Sequence, residues 1–190
     1  MRRLADLTAQ QAGLLSHAQL RRLGWSHDQI DHEIRTGRWA RWAPTVVATT
    51  TGHLSHSQRL WLGVLHGGVG ATLTHLTAAE EGGLRWQRDD ETIHVLTGKG
   101  DLVPALEGYF FHQTRRPYWR WVNASSEPPR LRLEHAVLLA AERDHRLRRA
   151  IGLLAAAVQQ RLTTADQLRR ASVQIRKLRH GATFRLALGD

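Results

Sequence analysis

The chain contains no cysteine. That absence excludes a disulfide framework, thiolate-ligated zinc and a cysteine nucleophile. Lysine is nearly absent too: Lys99 and Lys177 are the only two, and every other one of the 27 basic residues is arginine. Long apolar runs are missing. The longest, AIGLLAAAV at 150–158, falls far short of the roughly 20 residues needed to cross a bilayer. The opening MRRLADLTAQQAGLL has no apolar core of the kind a signal peptide carries. Together these absences predict a cytoplasmic chain.

What is present is positive charge on an ordinary globular background. The 190 residues are 42% hydrophobic and carry a net charge of +10, so a folded core is expected rather than disorder. Guanidinium groups suit bidentate contacts to phosphate and to base edges, which puts nucleic acid first among partner classes. A GC-rich coding sequence produces the same arginine excess whatever the function, so charge alone does not decide.

The chain reads as three segments. Residues 1–50 hold seven arginines against four acids. Leu4, Leu7 and Ala12 suit a first helix ending at Gly13. Ser16 is placed to cap a second helix closed by Gly24, and Ser26 a third closed by Gly37. Two short helices in succession with this punctuation predict a helix-turn-helix. RWARW and TVVATT follow as two strands around Ala43-Pro44, the shape of a wing. Trp39 and Trp42 are three apart and so face opposite sides of a strand.

Residues 51–130 are charge-balanced and mixed. SQRLWLGVLH predicts a helix, with Leu60, Val64 and Leu65 on one side. THLTAAEEGGL predicts a shorter helix opened by a Thr77–Glu80 capping box. TIHVLTG, GYFFHQT and YWRWVNA read as strands, with Trp119 and Trp121 sharing a buried face. ASSEPPR, 124–130, reads as a linker. Residues 131–190 hold twelve basic residues against five acids and predict helices. One places Leu147, Ile151, Leu154, Val158 and Leu162 along a single side; the next begins at a Thr164–Gln167 capping box.

The third helix, in WSHDQIDHEIRTGRWARW at 25–42, carries the sharpest functional pattern. Ile30 and Ile34 point inward at i, i+4, which leaves His27, Asp28, Gln29, Asp31, His32 and Arg35 outward. A recognition helix needs donors and acceptors for base edges and basic flanks for phosphate. Gln29, His32 and Arg35 meet the first need, with Ser26 and His27 at the helix start. Arg21, Arg22, Arg38 and Arg41 meet the second, and Arg169, Arg170, Arg176 and Arg179 offer a further basic contact. Asp28, Asp31 and Glu33 repel phosphate, and Asp31 and Arg35 at i, i+4 can simply pair.

Other chemistry finds little support. His53 and His56 in HLSH, and His27 with His32, do not have the H-E-x-x-H spacing of a zinc site, so no metal or other cofactor is expected. HGGVGAT and TGKGD lack the G-K-[ST] of a P-loop. A restriction-type nuclease needs a carboxylate two residues before a lysine, but Thr97 and Ile175 stand there. No catalytic residue emerges.

SHAQLRRLGWSHDQIDHEIRTGRWARWAPTVVAT resembles the N-terminal domain of the AbiEi family of antitoxins from type IV toxin–antitoxin systems. ATLTHLTAAEEGGL and PPRLRLEHAVLLAAERD are similar to segments of actinobacterial proteins built on that plan. The likeness implies a winged helix that binds double-stranded operator DNA, and a second domain that helps neutralise a nucleotidyltransferase-like toxin. Many such relatives continue into a restriction-endonuclease-like domain, and this chain stops about where that domain would start. The family commonly has His-Pro-Gly-Val-Tyr after the third helix; here Pro44 and Val46 match while Thr45 and Val47 replace Gly and Tyr.

The resulting expectation is an α+β chain: a winged helix-turn-helix over 1–50, a mixed α/β segment over 51–130 and a helical segment over 131–190. The function expected first is DNA binding by an antitoxin-type regulator. The alternatives are a protein-binding antitoxin module without specific DNA reading, and the DNA-targeting part of a nuclease-like protein lacking its catalytic domain.

Overall fold

Serine, threonine and glutamine at the helix starts set the architecture. The computed structural model describes residues 2–189 and is a mixed α+β fold with two sheets. The N-terminal elements run α1 (Arg2–Gln10), β1 (Leu14–Ser16), α2 (His17–Arg22), α3 (His27–Arg35), β2 (Ala40–Ala43) and β3 (Val46–Ala48). Ser16 caps α2 and Ser26 caps α3, each hydroxyl accepting from the backbone N–H of the glutamine three residues on. Gln19 and Gln29 accept in return from the cap backbone, completing two boxes that satisfy helix-start donors left without partners.

The first sheet is antiparallel in the order β1-β3-β2. β1 is not legible in the sequence, because Leu14-Leu15-Ser16 is too short to show alternation and extends only against β3. Its two faces meet different partners. Leu15 and Val47 pack with Leu20, Ile30 and Trp39, while Leu14, Val46 and Ala48 pack with Ala43 and Leu62. A register shift between Arg41 and Ala43 falls at Trp42, which packs on the Leu62 side. Trp39 is buried on the other face, as the spacing predicted, and its ring lies 4.9 Å from that of Trp25.

The second sheet is built from β4 (Thr72–Leu73), β5 (Ile93–Gly98), β6 (Tyr109–Thr114), β7 (Val122–Asn123) and β8 (Arg130–Leu131), in the order β6-β5-β4-β8-β7. The helix α4 (His56–Gly67) lies between the two sheets. It presents Leu62 and Leu65 to the first and Leu60 and Val64 to the second. Gly63 permits this approach: a Cβ there would stand 2.9 Å from the Tyr109 ring. The helix α5 (His75–Glu81) starts at Thr74, not at the expected Thr77, whose hydroxyl instead accepts the His94 backbone N–H at 2.9 Å.

Three expectations for the later chain change. YWRWVNA is not one strand: Tyr118–Trp121 forms a 3-10 turn, which buries Trp121 and leaves Trp119 65% exposed. The 124–130 segment is not a free linker. Leu73 N–H donates to Pro129 O at 2.8 Å and Ser126 is buried, so the segment is tied into the sheet edge. Beyond it come α6 (Leu133–Arg143), α7 (Leu147–Gln159), α8 (Ala165–Gln174) and α9 (Gly181–Ala187). α7 buries Ala150, Leu153, Leu154 and Ala157 instead of the predicted leucine stripe, and Leu147 stays exposed. Close approach to α6 favours alanine over larger side chains. The Thr164–Gln167 box forms as expected. Residues from both sides of the 130/131 junction, among them Leu73, Val95, Leu138 and Leu154, belong to one core.

Candidate functional site

The α3 surface is built by two forces, a capped start and a single buried side chain. Ile30 is buried and Ile34 partly so, whereas His27, Asp28, Gln29, His32 and Arg35 are exposed. Two proposed DNA contacts are already engaged. Ser26 Oγ accepts from Gln29 N, and Gln29 Oε1 accepts from Ser26 N at 2.8 Å. The glutamine carbonyl is therefore committed to the cap, leaving its amide group outward.

The charged flanks are engaged as well. Arg38 makes a two-pronged contact to Glu33, with Nε to Oε2 at 2.5 Å and Nη2 to Oε1 at 2.7 Å. That bond holds the Glu33 carboxyl below its ordinary value and the Arg38 guanidinium above its own. Arg41 donates to Asp31 at 2.7 Å, and His27 Nδ1 lies 3.0 Å from the same carboxylate. The anticipated Asp31–Arg35 pair is absent among the described residues, because Arg41 takes its place. Arg21, Arg41, His27 and Asp31 all lie close enough to His17 to act on its charge, so α2, α3 and β2 converge there. Arg21, Arg22 and Arg35 are exposed and make no ion pair among the described residues, and His32 is exposed. Toward the C-terminus, Arg169 and Arg170 both bind Asp166, while the Arg176 and Arg179 side chains are exposed.

The sequence did not reveal a second cluster. Alternation along the parallel β5–β6 pair puts His94, Phe110 and His112 on one sheet face. His75, the first residue of α5, adds a third ring, stacked on His112 at 3.8 Å between centroids. His94 Nδ1 and His112 Nε2 are 3.0 Å apart, close enough for one neutral ring to donate to the other. Thr74 Oγ1 lies 3.1 Å from His75 Nδ1 and makes no helix cap. His75 has φ +51°, a left-handed conformation costly for a side chain of this size.

Burial, then neighbouring charge, disfavours the imidazolium forms here. His94 is lowered to about 4 and His112 to about 3, and His75 lies well below its ordinary value. Arg143 sits 4.3 Å over the Phe110 ring. The carboxylates on either side of it are taken: Glu142 by Arg116 at 2.7 and 2.8 Å, and Asp144 by Arg149 at 3.3 Å. The signal in the sequence was the pairing of IHV with YFFHQ in equal register, which becomes visible only once the strands are known to lie parallel. Among the described residues, no group of three His, Asp or Glu side chains is placed to hold a metal ion, and His56 instead contacts Glu81 at 2.8 Å.

No family model and no curated protein matches the chain. None of the described helices is long and apolar enough to cross a membrane.

Proposed function

We propose that the chain is a DNA-binding regulator of the antitoxin type, reading double-stranded DNA, such as its own operator, through an N-terminal winged helix-turn-helix. One observation carries the proposal: α1-β1-α2-α3-β2-β3 closes into an antiparallel β1-β3-β2 sheet with a capped, mostly exposed α3. In this arrangement α3 enters the major groove and the β2–β3 hairpin is the wing. His32, Arg35 and the Gln29 amide face base edges, while Arg21 and Arg22 contact phosphate. Arg38 and Arg41 join them only by leaving Glu33 and Asp31. The proposed setting is a type IV toxin–antitoxin operon in the cytoplasm.

A specific observation also favours a protein partner. The acid–base pairs closed across α3 lower its attraction for an anionic duplex, as suits an antitoxin that meets a nucleotidyltransferase-like toxin. Gel-shift titration against upstream DNA over a range of salt separates the two. A salt-sensitive complex weakened by Arg21→Ala with Arg35→Ala supports DNA reading, and the lack of any such complex sinks it.

A further inference from the structure

We propose that the cleft beside the His75–His94–His112 cluster binds a small phosphate-bearing anion, with Arg143, Arg146 and Arg179 supplying the guanidinium groups. Two adjoining cavities, of about 390 and 520 Å3, share His75, Arg143 and His145 in their walls. Their size is that of small-molecule sites. Phe110 and Leu76 give the first an apolar side, while Arg146 lines the first and Arg179 the second.

The charge balance favours an anion. Asp89 and Asp144 bind Arg149, Asp90 lies by Arg88, and Glu142 binds Arg116. Arg143, Arg146 and Arg179 are exposed and have no carboxylate partner among the described residues. Guanidinium forks match the several acceptor oxygens of a phosphate. Stacking on Phe110 holds Arg143 in place before any ligand arrives. The strained His75 backbone points the same way, since such conformations persist where surrounding structure serves a site.

The buried rings supply a readout. They are neutral, with Arg88, Arg116 and Arg143 the cations acting on them and Asp90 the acid beside His94. A bound anion at Arg143 offsets that positive field, so the rings protonate more easily.

The test uses the full chain, isotopically labelled, with pyrophosphate and inorganic phosphate as probes and histidine ring resonances followed by NMR. Saturable binding with Kd on the order of 1 mM or tighter is expected, with the His94 and His112 titrations moving to higher pH. Arg143→Gln with Arg146→Gln should weaken binding at least about tenfold, the scale of losing hydrogen bonds to charged groups. Both side chains are exposed, so the unliganded melting temperature should hold; Arg143→Lys, which keeps the charge but loses the fork, should fall between. Equal affinity in the glutamine variant would overturn the proposal. So would ring shifts caused by a DNA duplex but by neither probe. Neither readout depends on operator binding, so it stands or falls separately from the DNA-reading function.

Discussion

Freeing Arg38 and Arg41 should convert the α3 surface into a stronger DNA ligand. Both guanidiniums are held by acids of α3, at 2.5 and 2.7 Å from Glu33 and 2.7 Å from Asp31. Asp31→Asn with Glu33→Gln removes the carboxylates and leaves the arginines in place. In the native chain Arg21, Arg22 and Arg35 are the uncommitted cations of the predicted interface. Three phosphate contacts give a log–log slope of affinity against salt of about −2.7, and five give about −4.5. At about 0.15 M salt the two added contacts strengthen binding about 30-fold, taking counterion release alone. Fluorescence anisotropy with a labelled duplex, repeated across salt concentrations, measures both quantities. Asp28→Asn is the control, since it deletes a negative charge that holds no arginine in this structure. A native slope already near −4.5 and unchanged in the double variant would refute the idea that ion pairs restrain these arginines. Weaker binding by the variant would show that the acids themselves are needed.

Other consequences can be measured directly. Ser26→Ala removes the α3 cap and should cost about 1 kcal/mol, lowering Tm by about 2–4 °C. Gly63→Ala places a methyl 2.9 Å from the Tyr109 ring and should destabilise the fold by about 1–3 kcal/mol in urea unfolding. The histidine cluster should make the protein acid-sensitive. His94 titrates at 6.5 when unfolded and at about 4 when folded, so the unfolded chain binds more protons between those values. Stability is then fully present above about pH 6.5 and falls as pH drops toward 4. His94→Gln with His112→Gln should flatten that decline in thermal melts, and a decline of undiminished steepness would assign the acid sensitivity elsewhere.

Local signals carried far in this chain where they were self-contained. Ser26, Gly37 and Ile30 defined α3 because capping, a positive φ and burial at helical spacing each act within one turn. Thr164 and Gln167 marked α8 for the same reason. Long-range partners were not legible. β1 exists only through β3, Trp119 escapes burial because Pro117 precedes a 3-10 turn rather than a strand, and α7 rotates its leucines aside to meet α6. Arg38 and Arg41 sit where the sequence placed them, beside the helix, but their partners lie five and ten residues back. The histidine cluster depended on the register of two strands and on a helix start whose cap residue turned to another task.

The double-sided helix α4 has a practical consequence for anyone dissecting this chain. Leu62 completes the core of the first sheet, while Leu60 and Val64 complete that of the second. A fragment ending near residue 50 would expose Leu14, Val46 and Ala48 to water, and one beginning inside α4 would uncover the opposite seam. Truncation is therefore a poor way to apportion activities here. Point substitutions that spare this shared wall are the sound route, and any movement of the helix that disturbs one sheet will be felt by the other.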